Sequence, residues 1–126
     1  MEKPVFRKPR MYFDTTTRPQ HVTFDDGKTL KRNFPWGHYV EARWDYAEPD
    51  TIKVTIGNWL VVITGYNLEP LYVAIEEHSL ARVGAHPAFE ENPDHGDDSF
   101  ATEIRFMPAP DAKPKKGQAE FDLGVD

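Results

Sequence analysis

Residues 51–66, TIKVTIGNWLVVITGY, restrict the possible folds more than any other stretch of the chain. Apolar side chains alternate with polar ones as far as Ile56, and the Gly57-Asn58 pair that follows can supply the positive φ angles of a two-residue hairpin turn. In this register the apolar cross-strand pairs are Ile52 with Ile63, Val54 with Val61 and Ile56 with Trp59. We therefore expect an antiparallel hairpin with one wholly apolar face.

The second strand of this hairpin, residues 59–64, is apolar on both faces, because Leu60 and Val62 point away from the first apolar set. A strand of this kind is buried on both sides. We place it at the centre of the core, and an exposed aromatic platform at Trp59 is the alternative.

Turn residues and periodicity predict further elements on either side. We expect a second hairpin that turns at Asp26-Gly27 and a final strand over residues 100–107. A strand over residues 38–46 should turn four residues inward, namely Val40, Ala42, Trp44 and Tyr46. A helix should run from Asn67, its N-cap, to about Leu80, with the apolar stripe Leu68, Leu71, Tyr72 and Ile75.

These elements predict an α+β fold in the order strands, helix, strand. We expect an antiparallel β-sheet of five to six strands, open to curling or barrel-like closure, with one packed α-helix. A single domain should cover residues 11–107, between a flexible N-terminal arm (1–10) and a flexible C-terminal tail (108–126). The tail segment EFDLGVD offers alternating apolar residues for strand addition, and an inert terminus is the alternative.

Composition excludes several classes of protein. The 126 residues contain no cysteine, which excludes disulfides, thiolate metal sites and a cysteine nucleophile. Because no apolar run is long enough for a membrane span or a secretory leader, we expect a cytoplasmic protein without membrane contact. Residues 1–36 contain eight Lys and Arg and four Asp and Glu, whereas residues 76–98 contain one Arg and seven Asp and Glu. An uneven distribution of charge of this kind steers association with partners.

The acidic stretch HPAFEENPDHGDDSF, residues 86–100, combines two histidines and five carboxylates with no apolar periodicity. Its prolines and Gly96 favour an exposed connection between the helix and the final strand, anchored by Phe89. We interpret it as an acidic docking loop for a basic partner, and its carboxylates are Glu90, Glu91, Asp94, Asp97 and Asp98.

The spacing in this loop does not match a metal site. In a calcium loop that starts at Asn92, Glu103 falls on position 12, but Gly96 falls on position 5 instead of 6. A start one residue earlier corrects the glycine and puts Pro93 on a ligand position. Since the histidines also lack zinc-binding spacing, we predict no metal and no cofactor.

The sequence RNFPWGHY contains an aromatic cluster that does not alternate, and it either closes one end of the core or lines an open groove. An open groove would make a binding site of Phe34, Trp36, His38 and Tyr39. It would serve a small-ligand binder or an acid–base or hydrolytic enzyme. The chain has no nucleophile elbow, phosphate loop or dinucleotide fingerprint, which favours a protein without chemistry of its own.

A third hypothesis is nucleic-acid association through the basic N-terminal region, where cationic and aromatic residues mix over residues 3–36. The net charge of −6 argues against it, because nucleic-acid-binding domains are usually basic. The function that we expect is a small macromolecule-binding or regulatory module, whose partner is another protein with a basic surface.

Overall fold

The computed structural model describes residues 8–92 and 94–110. Over these residues the chain forms eight β-strands and one α-helix. They are β1 (Phe13–Thr15), β2 (His21–Asp25), β3 (Lys31–Pro35), β4 (Tyr39–Arg43), β5 (Thr51–Ile56), β6 (Trp59–Tyr66), α1 (Glu69–Glu76), β7 (Leu80–Gly84) and β8 (Phe100–Pro108). Short 3-10 turns occupy Trp36–His38 and Pro87–Glu91. Most of the arm and tail expected to be flexible, residues 1–7 and 111–126, lies outside the described residues, whereas Pro108 ends β8 and Ala109 is buried.

The strands divide between two four-stranded sheets. The first has the order β1-β7-β2-β3 and the second has the order β4-β5-β6-β8. Within the sheets, the strands pair in antiparallel fashion except β2 with β7. The α+β, mostly antiparallel character is confirmed, whereas a single sheet of five to six strands is wrong. The sheets do not close into a barrel, so each keeps two edge strands.

The central hairpin has the expected register. Ile52 pairs with Ile63, Val54 with Val61 and Ile56 with Trp59, and Gly57 has a φ of 60° in the turn. Val61 and Ile63 of β6 belong to the core, whereas Val62 is buried on the opposite face, where it pairs with Lys53 and Arg105. The central position of the strand is therefore confirmed for one of its two faces. Trp59 packs against the core and does not form an exposed platform.

Strand β4 departs from the expected alternation at Tyr39 and Val40, and it ends at Arg43, before Tyr46. A register shift lies between Tyr39 and Glu41, so Tyr39 pairs with Ile56 and faces the core while Val40 is 64% exposed. A bulge moves one residue out of the alternation, and the side-chain pattern before it is inverted. Ala42 and Trp44 face the core as expected, whereas the inward placement of Val40 and Tyr46 is wrong.

The second hairpin forms, but its loop is longer than a two-residue turn. Strands β2 and β3 are joined by residues 26–30, and Gly27 has a φ of 79°. The Asp26 carboxylate accepts hydrogen bonds from the backbone N–H groups of Lys28, Thr29 and Leu30 at 2.9, 2.7 and 3.0 Å. This carboxylate replaces the backbone partners that a tight turn would supply, which stabilises the wider loop.

Helix α1 is shorter at both ends than the predicted range from Asn67 to about Leu80. Leu68 is the N-cap, and Asn67 has a φ of 52° while its side-chain amide donates to the carbonyls of Gly96 and Asp98. At the other end His78 has a φ of 57° and reverses the chain, so the residues from Leu80 onward form β7 instead of a last helical turn. The stripe itself is confirmed, because Leu68, Leu71 and Ile75 are buried and Tyr72 packs against the core.

Residues of both sheets and of α1 share one hydrophobic core. Phe24 and Phe34 of the first sheet meet edge to face at 6.0 Å, and the Trp36 indole N–H donates to the Leu80 carbonyl at 3.0 Å. Within the described part of the chain, no helix has the length and apolarity needed to cross a membrane.

Candidate functional site

The aromatic corner that follows β3 is packed into the core. Phe34 and Trp36 are buried, and the indole N–H of Trp36 is occupied by the Leu80 carbonyl. His38 is exposed, and its backbone carbonyl accepts from the Gly57 N–H at 2.7 Å. The structure therefore brings Trp36 and Tyr39 together, with ring centroids 5.4 Å apart, and keeps Phe34 and Trp36 inside the core, whereas His38 lies outside it.

His78 covers this corner from the end of α1. Its ring stacks on Trp36 at 4.6 Å with an interplanar angle of 11° and meets Tyr39 edge on at 4.6 Å. Burial raises the pKa of the Tyr39 hydroxyl above its ordinary value, and the charges of Tyr72 and Glu41 raise it further. The Tyr39 hydroxyl is therefore neutral, and the His78 ring covers Tyr39 and Trp36. Together these side chains close this end of the core.

The acidic loop between β7 and β8 is held by an aromatic cluster. Phe89 is half-buried and stacks on His86 at 4.6 Å with an interplanar angle of 9°. It also meets Tyr12 at 4.7 Å and Phe100 at 5.5 Å, both edge on. The prediction that Phe89 anchors the loop is confirmed.

The far end of the loop rests on the same cluster. His95 packs on Tyr66 and Phe100, with ring centroids at 5.1 and 5.2 Å. Tyr66 stacks on Phe100 at 5.2 Å and remains 37% exposed. The loop is therefore fixed at two points, and Tyr66 presents part of its ring to solvent.

Four of the five carboxylates of the proposed docking loop are exposed: Glu90, Glu91, Asp94 and Asp97. Asp98 is only 4% exposed, and its Oδ1 accepts from the Arg10 backbone N–H at 2.8 Å. The expected exposure of Asp98 is therefore wrong, because this carboxylate holds the segment that leads into β1.

Glu90 is part of a groove that sequence reasoning did not assemble. The groove has a volume of about 500 Å³. We call it the acidic groove, and its lining is Pro49, Asp50, Thr64, Gly65, Tyr66, Asn67, Glu90, Thr102 and Glu103. Its three carboxylates come from three separate segments, of which only the loop was recognised from sequence.

Strand pairing brings the other two carboxylates to Glu90. Thr64 of β6 pairs with Glu103 of β8, and the Gly65 N–H donates to the Asp50 carbonyl at 3.0 Å. The signal for Glu103 was present in the sequence, since it lies on the polar face of β8. The residue that lies beside Glu103 in the sheet is set by the pairing of β8 with β6, between residues about forty positions apart. Local sequence patterns do not predict such a pairing.

The ion pairs around the groove leave part of its charge uncompensated. The Glu103 carboxylate lies 3.8 Å from the Arg105 guanidinium. Among the described residues, Asp50 and Glu90 have no Lys or Arg within ion-pair distance. The groove is thus a concave surface with net negative charge beside a half-exposed tyrosine ring.

A row of basic residues crosses the outer face of the second sheet. Arg43 pairs with Lys53, Lys53 with Val62 and Val62 with Arg105, so the three cations lie on one line. Each one faces a carboxylate: Arg43 with Asp45 at 4.0 Å, Lys53 with Glu48 at 3.6 Å and Arg105 with Glu103 at 3.8 Å. This neutralised row offers little to a phosphate backbone, and the N-terminal Lys3 and Arg7 lie outside the described residues.

Within residues 8–92 and 94–110, no three His, Asp or Glu side chains converge in a group that can hold a metal ion. Comparison with protein-family models, with curated proteins and with solved structures found no significant match.

Proposed function

We propose that this chain is a protein-binding module without chemistry of its own, which docks a basic polypeptide segment in the acidic groove. The observation that carries the proposal is the convergence of Asp50, Glu90 and Glu103 around one concave surface that also presents the Tyr66 ring. Carboxylates accept hydrogen bonds from lysine and arginine, and the face of a tyrosine ring attracts either cation.

The dimensions of the groove suit side chains of a docked segment. A volume of about 500 Å³ holds one or two long side chains, and lysine or arginine can lay its aliphatic stem on Tyr66 while its charge reaches a carboxylate. The Thr64 hydroxyl can contact the peptide backbone, and the Thr102 hydroxyl, which donates to the Thr64 carbonyl at 3.2 Å, can still accept from a peptide N–H. A polar, acidic lining of this kind favours a cationic ligand over an apolar one.

The loop is arranged to keep Glu90 in place before a partner arrives. Its neighbour Phe89 is packed among His86, Tyr12 and Phe100, so little conformational entropy should be lost at Glu90 on binding. The exposed carboxylates outside the groove, such as Glu91 and Asp97, add to the negative field and should raise the association rate.

The alternative functions have less support. The Phe34 and Trp36 side chains are buried and His78 stacks on Trp36, so these aromatic rings pack the core beside His38 instead of lining a groove. Nucleic-acid association through the basic N-terminal region is opposed by the net charge of −6, and the Arg32 guanidinium of that region packs on the Trp59 ring at 4.0 Å.

Fluorescence anisotropy with a labelled lysine- and arginine-rich peptide tests the proposal. The double variant Glu90→Gln/Glu103→Gln should weaken binding about tenfold, because each exposed ion pair contributes up to about 1 kcal/mol. Raising the salt concentration from about 0.1 M to about 1 M should also weaken binding, as the screening length falls from about 10 Å to about 3 Å.

Glu91→Gln is the matched control, because Glu91 is exposed in the same loop but does not line the groove. It should change the affinity less than about twofold, which is the effect of one distant charge. Equal losses in the control and in the double variant would contradict a groove-specific site, as would a wild-type protein that fails to bind the peptide.

A further inference from the structure

A second groove lies between strand β1 and helix α1, and its lining is mainly apolar. It has a volume of about 580 Å³ and is bounded by Met11, Phe13, Thr15, Glu69, Pro70, Val73, Ala74, Glu77 and Ser79. Met11 is 56% exposed and Val73 is 37% exposed, although both are large apolar side chains. We call this surface the α1/β1 groove. Exposed apolar side chains that face each other across a groove are typical of an interaction surface.

Two glutamates flank the apolar part of the α1/β1 groove. Glu69, Val73 and Glu77 are four residues apart in sequence, so they follow one another along the same side of the helix. Both carboxylates are exposed, and neither has a Lys or Arg within ion-pair distance among the described residues. Glu77 is also the C-cap of α1, where a negative charge is unfavourable. A cation brought by a partner would relieve that repulsion.

The spacing of these three side chains selects the pattern of the partner. Eight residues of α-helix rise about 12 Å between Glu69 and Glu77. An extended chain covers about 13 Å in four residues and places every second side chain on one face. A segment with the order basic, any residue, apolar, any residue, basic therefore puts its two cations beside the glutamates and its apolar residue beside Val73.

We propose that the α1/β1 groove binds an extended segment of a partner protein with this basic–apolar–basic pattern. The apolar residue packs between Met11 and Val73, and the two cations pair with Glu69 and Glu77. The charge decides the occupant, because an acidic or uncharged segment would leave both carboxylates uncompensated. This surface uses residues that the acidic groove does not contain, so the proposal goes beyond the proposed function and does not depend on it.

Isothermal titration calorimetry with the full chain tests the proposal. The probe is the peptide Ser-Lys-Thr-Leu-Thr-Lys-Ser with blocked ends. Three control peptides are one with serine in place of the leucine, one with the two lysines adjacent and one with both lysines replaced by glutamate. The wild-type protein should bind the probe at least about fivefold more tightly than each control, since the lost contact is worth about 1 kcal/mol.

Paired variants of the protein locate the site. Glu69→Gln/Glu77→Gln should weaken binding of the probe about fivefold or more, and Glu76→Gln should leave it within about twofold, because Glu76 is exposed on the helix but does not line the groove. Val73→Ser should weaken binding and abolish the preference for leucine. Thermal unfolding of each variant, followed by circular dichroism, checks that these exposed substitutions leave the fold intact.

The outcomes distinguish the two grooves. Loss of probe binding in Glu69→Gln/Glu77→Gln, with normal binding in Glu90→Gln/Glu103→Gln, supports the α1/β1 site. The reverse result overturns it while leaving the proposed function in place. Equal binding of the four peptides would also overturn it, and so would increased helicity of the bound probe, which would indicate a helical occupant.

Discussion

Replacement of Phe89 by alanine tests whether the acidic loop is held by its aromatic anchor. Truncation of a fully buried phenylalanine costs about 3–5 kcal/mol. Phe89 is half-buried and contacts His86, Tyr12 and Phe100 at centroid distances of 4.6, 4.7 and 5.5 Å. About half of the full cost applies, so Phe89→Ala should lower the free energy of unfolding by about 2 kcal/mol.

Urea denaturation followed by tryptophan fluorescence measures this loss. With a slope of about 2 kcal/mol per M, the midpoint should fall by about 1 M. Hydrogen exchange should also become faster for the amides of residues 86–92. In the variant, local opening of the loop no longer has to break the contacts of the Phe89 ring with the three rings around it. Ala88→Gly is the control, since Ala88 is exposed in the same 3-10 turn. A midpoint for Phe89→Ala that differs from the wild type by no more than this control would refute the anchoring argument.

Three other substitutions test separate features of the fold. Gly65→Ala should lower the free energy of unfolding by about 3 kcal/mol in urea denaturation, because a Cβ would lie 2.8 Å from the β8 backbone and against the Phe100 carbonyl; an unchanged midpoint would contradict this close approach. Hydrogen bonds from loop N–H groups lower the pKa of Asp26 below 3.8. The ionised Asp26 carboxylate therefore contributes its full stabilisation above that pH, and this stabilisation is lost as the pH falls through the pKa of the folded state. Asp26→Asn should therefore flatten the loss of stability below about pH 4, and an unchanged pH profile would contradict the assignment. Arg32→Ala should destabilise by about 1 kcal/mol and alter the fluorescence of Trp59, since the guanidinium lies 4.0 Å from that ring; identical emission spectra would contradict the stacking.

The elements predicted correctly are those whose structure is determined by residues close together in the sequence. The central hairpin is specified by alternation and by the Gly57-Asn58 pair, and its register is as expected. The apolar stripe of α1 is equally local, and its four predicted residues all pack in or against the core, where Ala74 joins them. Strand β7 was not predicted, because Leu80 continues the apolar pattern of the preceding helix. The chain reverses at His78 through a positive φ, which the presence of a histidine does not predict.

The division into two sheets depends on contacts between distant residues. The parallel pairing of Phe24 with Val83 joins strands almost sixty residues apart, and no local pattern reports it. The bulge at Val40 is similar, since alternation predicts the strand but not the point at which one residue is added.

The candidate site was predicted only in part for the same reason. The composition of residues 86–100 indicated an acidic surface and its anchor, Phe89. It did not indicate that Asp50 and Glu103 join Glu90 around one groove, because strand pairing places them there. The aromatic corner had two interpretations from sequence, and the burial of Trp36 with its hydrogen bond to Leu80 favours the packed one.

Chemical-shift mapping tests the central claim, the docking of a basic segment in the acidic groove. Isotope-labelled protein is titrated with the lysine- and arginine-rich peptide, and the amide signals of the whole chain are followed at once. Saturable shifts should be centred on Tyr66, Glu90 and Glu103, and they should disappear in Glu90→Gln/Glu103→Gln. Shifts centred on His38 and Tyr39 instead, or no saturable shift at any residue, would contradict this claim.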